Sequence, residues 1–226
     1  VHLEAFDSIA DIAREKASVF SGLAEGGVAI INTDPAVWDI LRQGAGNAAR
    51  IVTFGSAATA DFRLLDATLS NDTTIVTAQH GADQFLFKIM TAGRHFGENA
   101  LGVLAVVDAL GCDPAIGAVD LGLWQPPSGR GTRETIVLDI VDDHLAFDLL
   151  DDAFNANPTS IIAALEVLAA ATPKGGIGSI DKGRRIAVLG DMLELGEQAG
   201  AMHRAIGELA TIGAVDVVHC VGPLMA

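Results

Sequence analysis

The sequence has 226 residues, of which 50% are hydrophobic and 19% are charged, so it can build a buried core and is not intrinsically disordered. Its 29 acidic and 14 basic residues give a formal net charge of −15, which disfavours nucleic acids and anionic membrane surfaces as partners. The length fits two compact units.

The two cysteines, Cys112 and Cys220, are far apart and form no CxxC pair, which predicts a reduced, cytoplasmic protein with buried thiols. The most apolar helix-like segment, Ala100 to Leu110, contains Asp108 and is too short to span a bilayer, so we expect no membrane insertion. No secretory signal opens the sequence. Since it does not begin with Met, we expect both ends to be internal positions of a longer protein.

A first helix is predicted from Ser8 to about Phe20, because Ser8 and Asp11 have the spacing of a capping box. Lys16 lies within the apolar stripe of this helix. The pattern fits a lysine whose stem covers the core while its ammonium reaches water. It also fits a buried lysine with a lowered pKa that acts as a nucleophile or takes up carbon dioxide. His2, upstream, is either a packing or surface histidine or a metal ligand beside a modified lysine.

Two short apolar runs, Val28–Asn32 and Arg50–Phe54, are typical of buried parallel strands. Between them, Asp34 followed by Pro35 predicts an N-cap and the first position of a second helix that ends near Gln43.

The next segment predicts an antiparallel meander followed by two helices. The β-rich runs are Arg63–Leu69, Thr73–Ala78 and Gln84–Ile89, and the helices are Glu98–Leu110 and Pro114–Leu121. The first of these helices is apolar on almost every side, so we expect it to be buried.

Prolines and a glycine interrupt regular structure over Trp124–Gly129, which predicts a linker there. We therefore divide the sequence into residues 1–126 and 127–226. The second unit opens with paired strands predicted over Thr135–Ile140 and Leu145–Leu150. It continues with a helix, a strand, a helix and a strand, the last three forming a βαβ unit: Thr159–Ala171, Ile186–Gly190, Ala199–Leu209 and Val215–Gly222. The predicted fold class is α/β.

Polar side chains gather at the start of the long apolar helix and at the linker. His95 and Asn99 either cap that helix or form a ligand site at its N-terminus, where the Asn99 amide would pair with an adenine edge. Arg130 lies between Gly129 and Gly131, which fits an ordinary turn or an arginine that moves onto phosphate or ribose when two domains close.

A third polar group follows a predicted strand. Asp152, Asn155 and Asn157 stand where α/β proteins place ligands, although a capping turn explains them equally well. The sequence contains neither a GxGxxG dinucleotide fingerprint nor a GxxxxGK[ST] phosphate loop.

In this order, these segments resemble the Mur ligase family, and the resemblance runs essentially end to end. His2 with the Lys16 helix resembles the segment that carries a metal-binding histidine and a carbamylated lysine. Residues 93–101 resemble the GxHNxxNALA segment, with Phe96 in place of the asparagine of the HN pair, and residues 129–131 resemble the hinge arginine motif. Two segments resemble the branch that adds D-alanyl-D-alanine: LLDDAFNANPTSI (Leu149–Ile161) and RRIAVLGDMLELG (Arg185–Gly196) with the following His203.

The resemblance implies the remainder of a central ATPase domain followed by a Rossmann-like C-terminal domain. It implies a cytoplasmic, monomeric, ATP-dependent amide ligase of peptidoglycan precursor synthesis. Its substrates would be UDP-N-acetylmuramoyl-tripeptide and D-alanyl-D-alanine. Such ligases form an acyl phosphate that an amine attacks, chemistry that depends on charge neutralisation and positioning.

Carried over residue by residue, the resemblance assigns Mg²⁺ to carbamylated Lys16 and His2, since a carbamate supplies the hard oxygen that this ion prefers. It assigns the nucleotide to His95, Asn99, Arg130, Asp152, Asn155 and Asn157. Because no phosphate loop lies within these 226 residues, we expect them to be inactive alone. The alternatives are another ligase of the superfamily, such as a folylpolyglutamate synthase-like enzyme, and a non-catalytic nucleotide-binding module.

Overall fold

The structure is a computed structural model that describes residues 4–139, 141, 145–173, 175 and 182–226. The helices are α1 Ile9–Ala17, α2 Trp38–Gly44, α3 Arg94–Ala109, α4 Pro114–Leu121, α5 Pro158–Ala170 and α6 Ala199–Gly207. The strands are β1 Val28–Asn32, β2 Arg50–Gly55, β3 Phe62–Ser70, β4 Thr73–His80, β5 Asp83–Ile89, β6 Thr132–Val137, β7 Ala146–Asp151, β8 Ile186–Gly190 and β9 Val217–Val221.

Strands β1 to β5 form one sheet in sequence order. The pairs β1–β2 and β2–β3 are parallel, whereas β3, β4 and β5 form the predicted antiparallel meander. Helix α3 packs on this sheet through Leu101 and Leu104, which are fully buried with Phe62 and Val76. The expected burial of α3 holds for the side that faces the sheet, whereas Val103 on another side is 48% exposed.

The segment after β1 differs from its prediction. Helix α2 begins at Trp38, and Asp34 caps no helix. Instead, the Asp34 carboxylate accepts hydrogen bonds from the Ser56 backbone N–H, with N···O distances of 2.7 and 2.9 Å, and from the Ser56 hydroxyl. A tertiary partner 22 residues away therefore replaces the local capping interaction.

The second half of the chain contains an antiparallel hairpin, β6–β7, and the predicted parallel βαβ unit, β8–α6–β9. The predicted end of the β6 strand at Ile140 lies outside the described residues. Helices α5 and α6 bury Ile161, Leu165 and Ile206 in a second core. Val188 of β8 is 68% exposed.

Both cysteines are exposed, so the prediction of buried thiols was wrong. Cys112 follows the end of α3, and Cys220 lies on β9, most of which is exposed. Within the described part of the chain, no helix is long and apolar enough to cross a membrane.

The two halves contact each other through the turn between β3 and β4. The Arg133 guanidinium donates a hydrogen bond of 3.0 Å to the carbonyl of Asn71 and forms an ion pair with Asp148 at 2.7 Å. The Thr172 backbone N–H donates to the Asn71 side chain at 3.2 Å. A cavity of about 250 Å³ lies at this junction, lined by residues of both halves.

Candidate functional site

The N-terminus of α3 is fixed by a buried threonine. Thr74 accepts a hydrogen bond of 2.9 Å from the Gly93 N–H and donates one of 2.8 Å to the Thr91 carbonyl. Gly93 has a φ of +152°, and a Cβ at this position would come within 2.7 Å of the His95 ring. Glycine is therefore required where the chain turns into α3 and presents His95.

His95 and Asn99 are one turn apart on α3, so their side chains lie on one face of the helix. Neither caps the helix, since Gly93 occupies the N-cap position without a side-chain hydrogen bond. The His95 ring packs on the Phe96 ring, with centroids 4.0 Å apart. Burial lowers the pKa of His95, which favours the neutral imidazole at pH 7. Its Nδ1 is buried without a hydrogen-bond partner, whereas Asn99 is exposed.

Phe96 connects α3 to the linker. Its ring is 8% exposed and packs against Trp124 with centroids 5.4 Å apart. On the hinge side it lies against Gly131, where an added Cβ would come within 3.3 Å of Phe96 Cζ. The residue that replaces the asparagine of the family motif thus joins the two groups of predicted site residues.

Arg130 is held in a defined turn between two glycines with positive φ, Gly129 at +74° and Gly131 at +83°. The Gly131 N–H donates to the Asp151 carbonyl at 2.9 Å, and the Phe154 N–H donates to the Gly129 carbonyl at 3.0 Å. The Arg130 guanidinium carbon lies 4.1 Å from the centroid of the Phe154 ring. The turn is therefore tied to the segment that carries Asp152.

The Asp152 residue is exposed, yet its carboxyl group is partly desolvated, and this desolvation together with the charge of Asp151 raises its pKa. The Arg130 charge opposes that increase. Asn155 is exposed and accepts a hydrogen bond from the Ala156 N–H.

Asn157 caps helix α5. Its side-chain oxygen accepts a hydrogen bond of 3.0 Å from the Ser160 N–H, and the Ser160 hydroxyl accepts one of 3.0 Å from the Asn157 N–H. The capping interpretation of Asn157 is confirmed. A ligand contact by its amide NH₂ stays a prediction.

Lys16 is exposed near the end of α1, so the alternative of a buried lysine was wrong. The small residues Ala13 and Ala17 are buried instead, and they leave the long side chain at the helix surface. His2 lies outside the described residues. Among those that are described, no three His, Cys, Asp or Glu side chains converge to hold a metal ion.

Glu98 belongs to the polar group at the start of α3, but its proximity to the Asp34 carboxylate was not predicted. Burial is the main cause that raises the Glu98 pKa, and the Asp34 charge raises it further. Asp34 follows β1 in the pattern Asn32-x-Asp34, and an acid directly after a buried parallel strand is a signal for the ligand-binding edge of a sheet. Its interpretation as a helix cap hid that signal.

Comparisons with known proteins match both halves of the chain. The family profile described as "Mur ligase middle domain" matches residues 1–107, and the profile "Mur ligase, glutamate ligase domain" matches residues 138–226.

Two curated relatives are named UDP-N-acetylmuramoyl-tripeptide–D-alanyl-D-alanine ligase. The one from Escherichia coli K12 is 33% identical over 98% of this chain and 45% of its own length. The one from Bacillus subtilis 168 is 28% identical over 100% of this chain and 44% of its own length. The chain thus spans about half the length of the curated relatives it matches.

Solved structures share the fold. A crystal structure of MurF from Acinetobacter baumannii superposes with a TM-score of 0.81 at 24% identity, covering 99% of this chain and 45% of that one. MurF from Thermotoga maritima in complex with ADP superposes with a TM-score of 0.73 at 23% identity, covering 100% of this chain and 47% of that one. Folylpolyglutamate synthetase from Lactobacillus casei superposes with a TM-score of 0.57 at 13% identity, covering 97% of this chain and 56% of that one.

Proposed function

Because this chain belongs to the Mur ligase family, we propose that its protein is an ATP-dependent ligase that joins D-alanyl-D-alanine to UDP-N-acetylmuramoyl-tripeptide. The observation that carries this proposal is the 33% identity to the Escherichia coli ligase of that name, which extends over 98% of the chain. The product would be a cytoplasmic peptidoglycan precursor needed for cell-wall synthesis, cell shape and division, and the enzyme a monomer.

We infer that the nucleotide binds between the α3 N-terminus and the turn at Arg130. His95 supports this position, since its Nδ1 is buried, has no hydrogen-bond partner and belongs to a ring that burial keeps neutral. Asn99 would pair with the adenine, because its exposed amide both donates and accepts hydrogen bonds. Arg130 and Asp152 would bind ribose or phosphate, with Asn155 and Asn157 lining the same cleft.

ATP would transfer its γ-phosphoryl group to the tripeptide carboxylate, which gives an acyl phosphate and ADP. The amino group of the dipeptide would then attack the acyl carbon, forming the amide bond as inorganic phosphate leaves and the amine loses a proton. The residues of this chain would act by orientation and charge neutralisation. Arg130 suits this role, because guanidinium groups bind phosphate oxygens through paired N–H donors.

The proposal includes Mg²⁺ held by carbamylated Lys16 and His2. Lys16 is exposed near the end of α1, and the oxygens of its carbamate would be ligands that Mg²⁺ accepts. The ion would neutralise phosphate charge. Among the described residues, no three His, Cys, Asp or Glu side chains would complete its coordination.

We further propose that residues 1–126 belong to the central domain and residues 127–226 to the C-terminal domain. The 226 residues contain no GxxxxGK[ST] loop, and we therefore propose that they turn over no ATP alone. ATP turnover by the verified 226-residue chain would refute this point.

An acceptor screen on the full-length protein tests the function. The protein is incubated with ATP, Mg²⁺ and UDP-N-acetylmuramoyl-tripeptide, and separate samples receive D-alanyl-D-alanine, D-alanine or glutamate. Mass spectrometry of the products should show ligation of the dipeptide alone. Ligation of glutamate would favour a folylpolyglutamate-type enzyme, and no product with any acceptor would favour a non-catalytic module.

A further inference from the structure

Phe154 is an aromatic residue with an unusual environment. The residue is 66% exposed, although phenylalanine has one of the largest apolar side chains. Among the described residues it takes part in one aromatic or cation–π contact, with the Arg130 guanidinium, whose central carbon lies 4.1 Å from the ring centroid. The Arg130 backbone N–H donates to the Pro127 carbonyl at 3.2 Å, but its guanidinium makes no hydrogen bond or ion pair in the part of the chain that the structure describes. The two side chains therefore contact each other without being held by a larger core.

We propose that Phe154 is a positioning residue for Arg130: its ring supports one face of the guanidinium and leaves the N–H edge available to oxygens of the bound nucleotide. This inference rests on the proposed function, in which Arg130 binds ribose or phosphate. An aromatic face suits the task, since it attracts a cation without using its hydrogen-bond donors.

Backbone contacts fix the ring relative to Arg130. The Phe154 N–H donates a hydrogen bond of 3.0 Å to the carbonyl of Gly129, the residue that precedes Arg130. A Cβ on Gly129 would lie 3.2 Å from Phe154 Cβ, so the two backbones approach closely. The positive φ of Gly129, +74°, permits this approach. The turn and the ring thus form one unit, which makes the stacking a built feature of the fold.

The ring also counteracts a competing interaction. Asp151 and Asp152 lie beside Phe154 in sequence, and the Arg130 charge lowers the pKa of Asp152 against the larger effects of desolvation and the Asp151 charge. An arginine without a support would form an ion pair with a nearby carboxylate, and its N–H donors would then be occupied. No such pair forms among the described residues, and stacking on Phe154 explains how the guanidinium stays available.

Four variants of the full-length protein test the proposal. Phe154→Leu removes the aromatic face and keeps the apolar bulk, and Phe154→Tyr keeps the ring. Phe147→Leu is the matched control, because this residue is 46% exposed on β7 of the same domain and no cation of the described residues lies over its ring. Arg130→Met, alone and combined with Phe154→Leu, shows whether the effect passes through Arg130.

ADP affinity is measured by calorimetry, and ATP KM and kcat are measured in the ligase reaction. Phe154→Leu should weaken ADP binding and raise the ATP KM by about two- to fivefold, the range of an exposed cation–π contact. Phe154→Tyr should retain wild-type affinity, and Phe147→Leu should change nothing. In the Arg130→Met background, Phe154→Leu should have no further effect.

Equal affinities for wild type and Phe154→Leu would overturn the proposal, as would a Phe154→Leu effect that persists without Arg130. A loss that Phe154→Tyr shares in full would also contradict it, since the aromatic face would not be the cause. Wild-type protein that binds no ADP would refute the proposed function and this inference together, whereas normal wild-type binding with an unaffected Phe154→Leu would refute this inference alone.

Discussion

The ring of Phe96 lies against the backbone of Gly131, so that a Cβ on this glycine would come within 3.3 Å of Phe96 Cζ. This contact joins the start of α3 to the turn that carries Arg130. The structure thus brings together two groups of polar residues that are far apart in sequence. It also explains why a large aromatic side chain is accommodated where the family motif has asparagine, since Trp124 covers another part of the same ring.

Gly131→Ala should destabilise the full-length protein by about 1–2 kcal/mol, the cost of placing a Cβ residue in the left-handed region. Gly131 has a φ of +83°, and the added methyl group would also press on Phe96. Urea unfolding monitored by tryptophan fluorescence measures the change. Gly207→Ala is the control, because nothing lies within 4 Å of its added Cβ and alanine suits the last position of α6. Equal stability of the two variants would contradict this account of the hinge.

His203→Ala should destabilise the protein by about 1–3 kcal/mol, because it leaves a buried backbone N–H without a partner. The buried His203 ring accepts a hydrogen bond of 2.8 Å from the Met192 N–H, and its Nδ1 lies 2.7 Å from the Ala199 carbonyl. These bonds fix the loop after β8. Chemical unfolding tests the prediction, with exposed His219→Ala as the control. If both variants unfolded at the same denaturant concentration, the bonds of His203 would contribute nothing measurable.

Glu98→Gln should make the protein less sensitive to rising pH. Burial and the Asp34 charge raise the Glu98 pKa above 4.5, so the folded state holds this proton more tightly than the unfolded state does. Its contribution to stability is therefore present below pH 4.5 and is lost as pH rises through the folded-state pKa. Urea midpoints measured from pH 4 to pH 8 should fall less steeply in Glu98→Gln than in wild type.

The control for this pH series is Glu134→Gln, at an exposed position on β6. Asp152 contributes in the same direction as Glu98, since its pKa is also raised, so part of the slope should remain in every variant. Identical slopes for wild type and Glu98→Gln would show that the Glu98 carboxyl group is not perturbed.

Asn99→Ala should weaken ADP binding by about five- to tenfold in the full-length protein, which is the loss of one or two hydrogen bonds. Stability should not change, because the side chain is exposed and caps no helix. Isothermal calorimetry gives the affinity, and Asn47→Ala provides the control at an exposed asparagine in the turn after α2. Unchanged affinity in Asn99→Ala would remove Asn99 from the nucleotide site.

Local patterns predicted the strands well, because their signals are contained in a few adjacent residues. The run Val28–Asn32 is β1 as predicted, and the three strands of the meander differ from their predicted bounds by at most two residues. Ser8 is the N-cap of α1, as predicted, and its hydroxyl accepts a hydrogen bond of 3.2 Å from the Asp11 N–H. The Asp11 carboxylate accepts from the Ser8 hydroxyl instead of completing the capping box. Each of these features depends on sequence neighbours alone.

Tertiary contacts account for what the sequence did not reveal. Asp34 was predicted to cap a helix, but its carboxylate accepts a hydrogen bond from Ser56, directly after the neighbouring strand β2. Lys16 looked like part of a buried stripe, but the small side chains of Ala13 and Ala17 make the contact with the core. The stacking of Arg130 on Phe154 required the return of the chain through β6 and β7, and no spacing rule predicts it.

Phosphate release from the full-length protein with ATP, Mg²⁺ and UDP-N-acetylmuramoyl-tripeptide, measured with and without D-alanyl-D-alanine, tests the proposed reaction. We predict release that depends on the dipeptide and that Lys16→Ala abolishes. A folded protein that binds ATP and releases no more phosphate with the dipeptide than without it would contradict the assignment of D-alanyl-D-alanine as the acceptor.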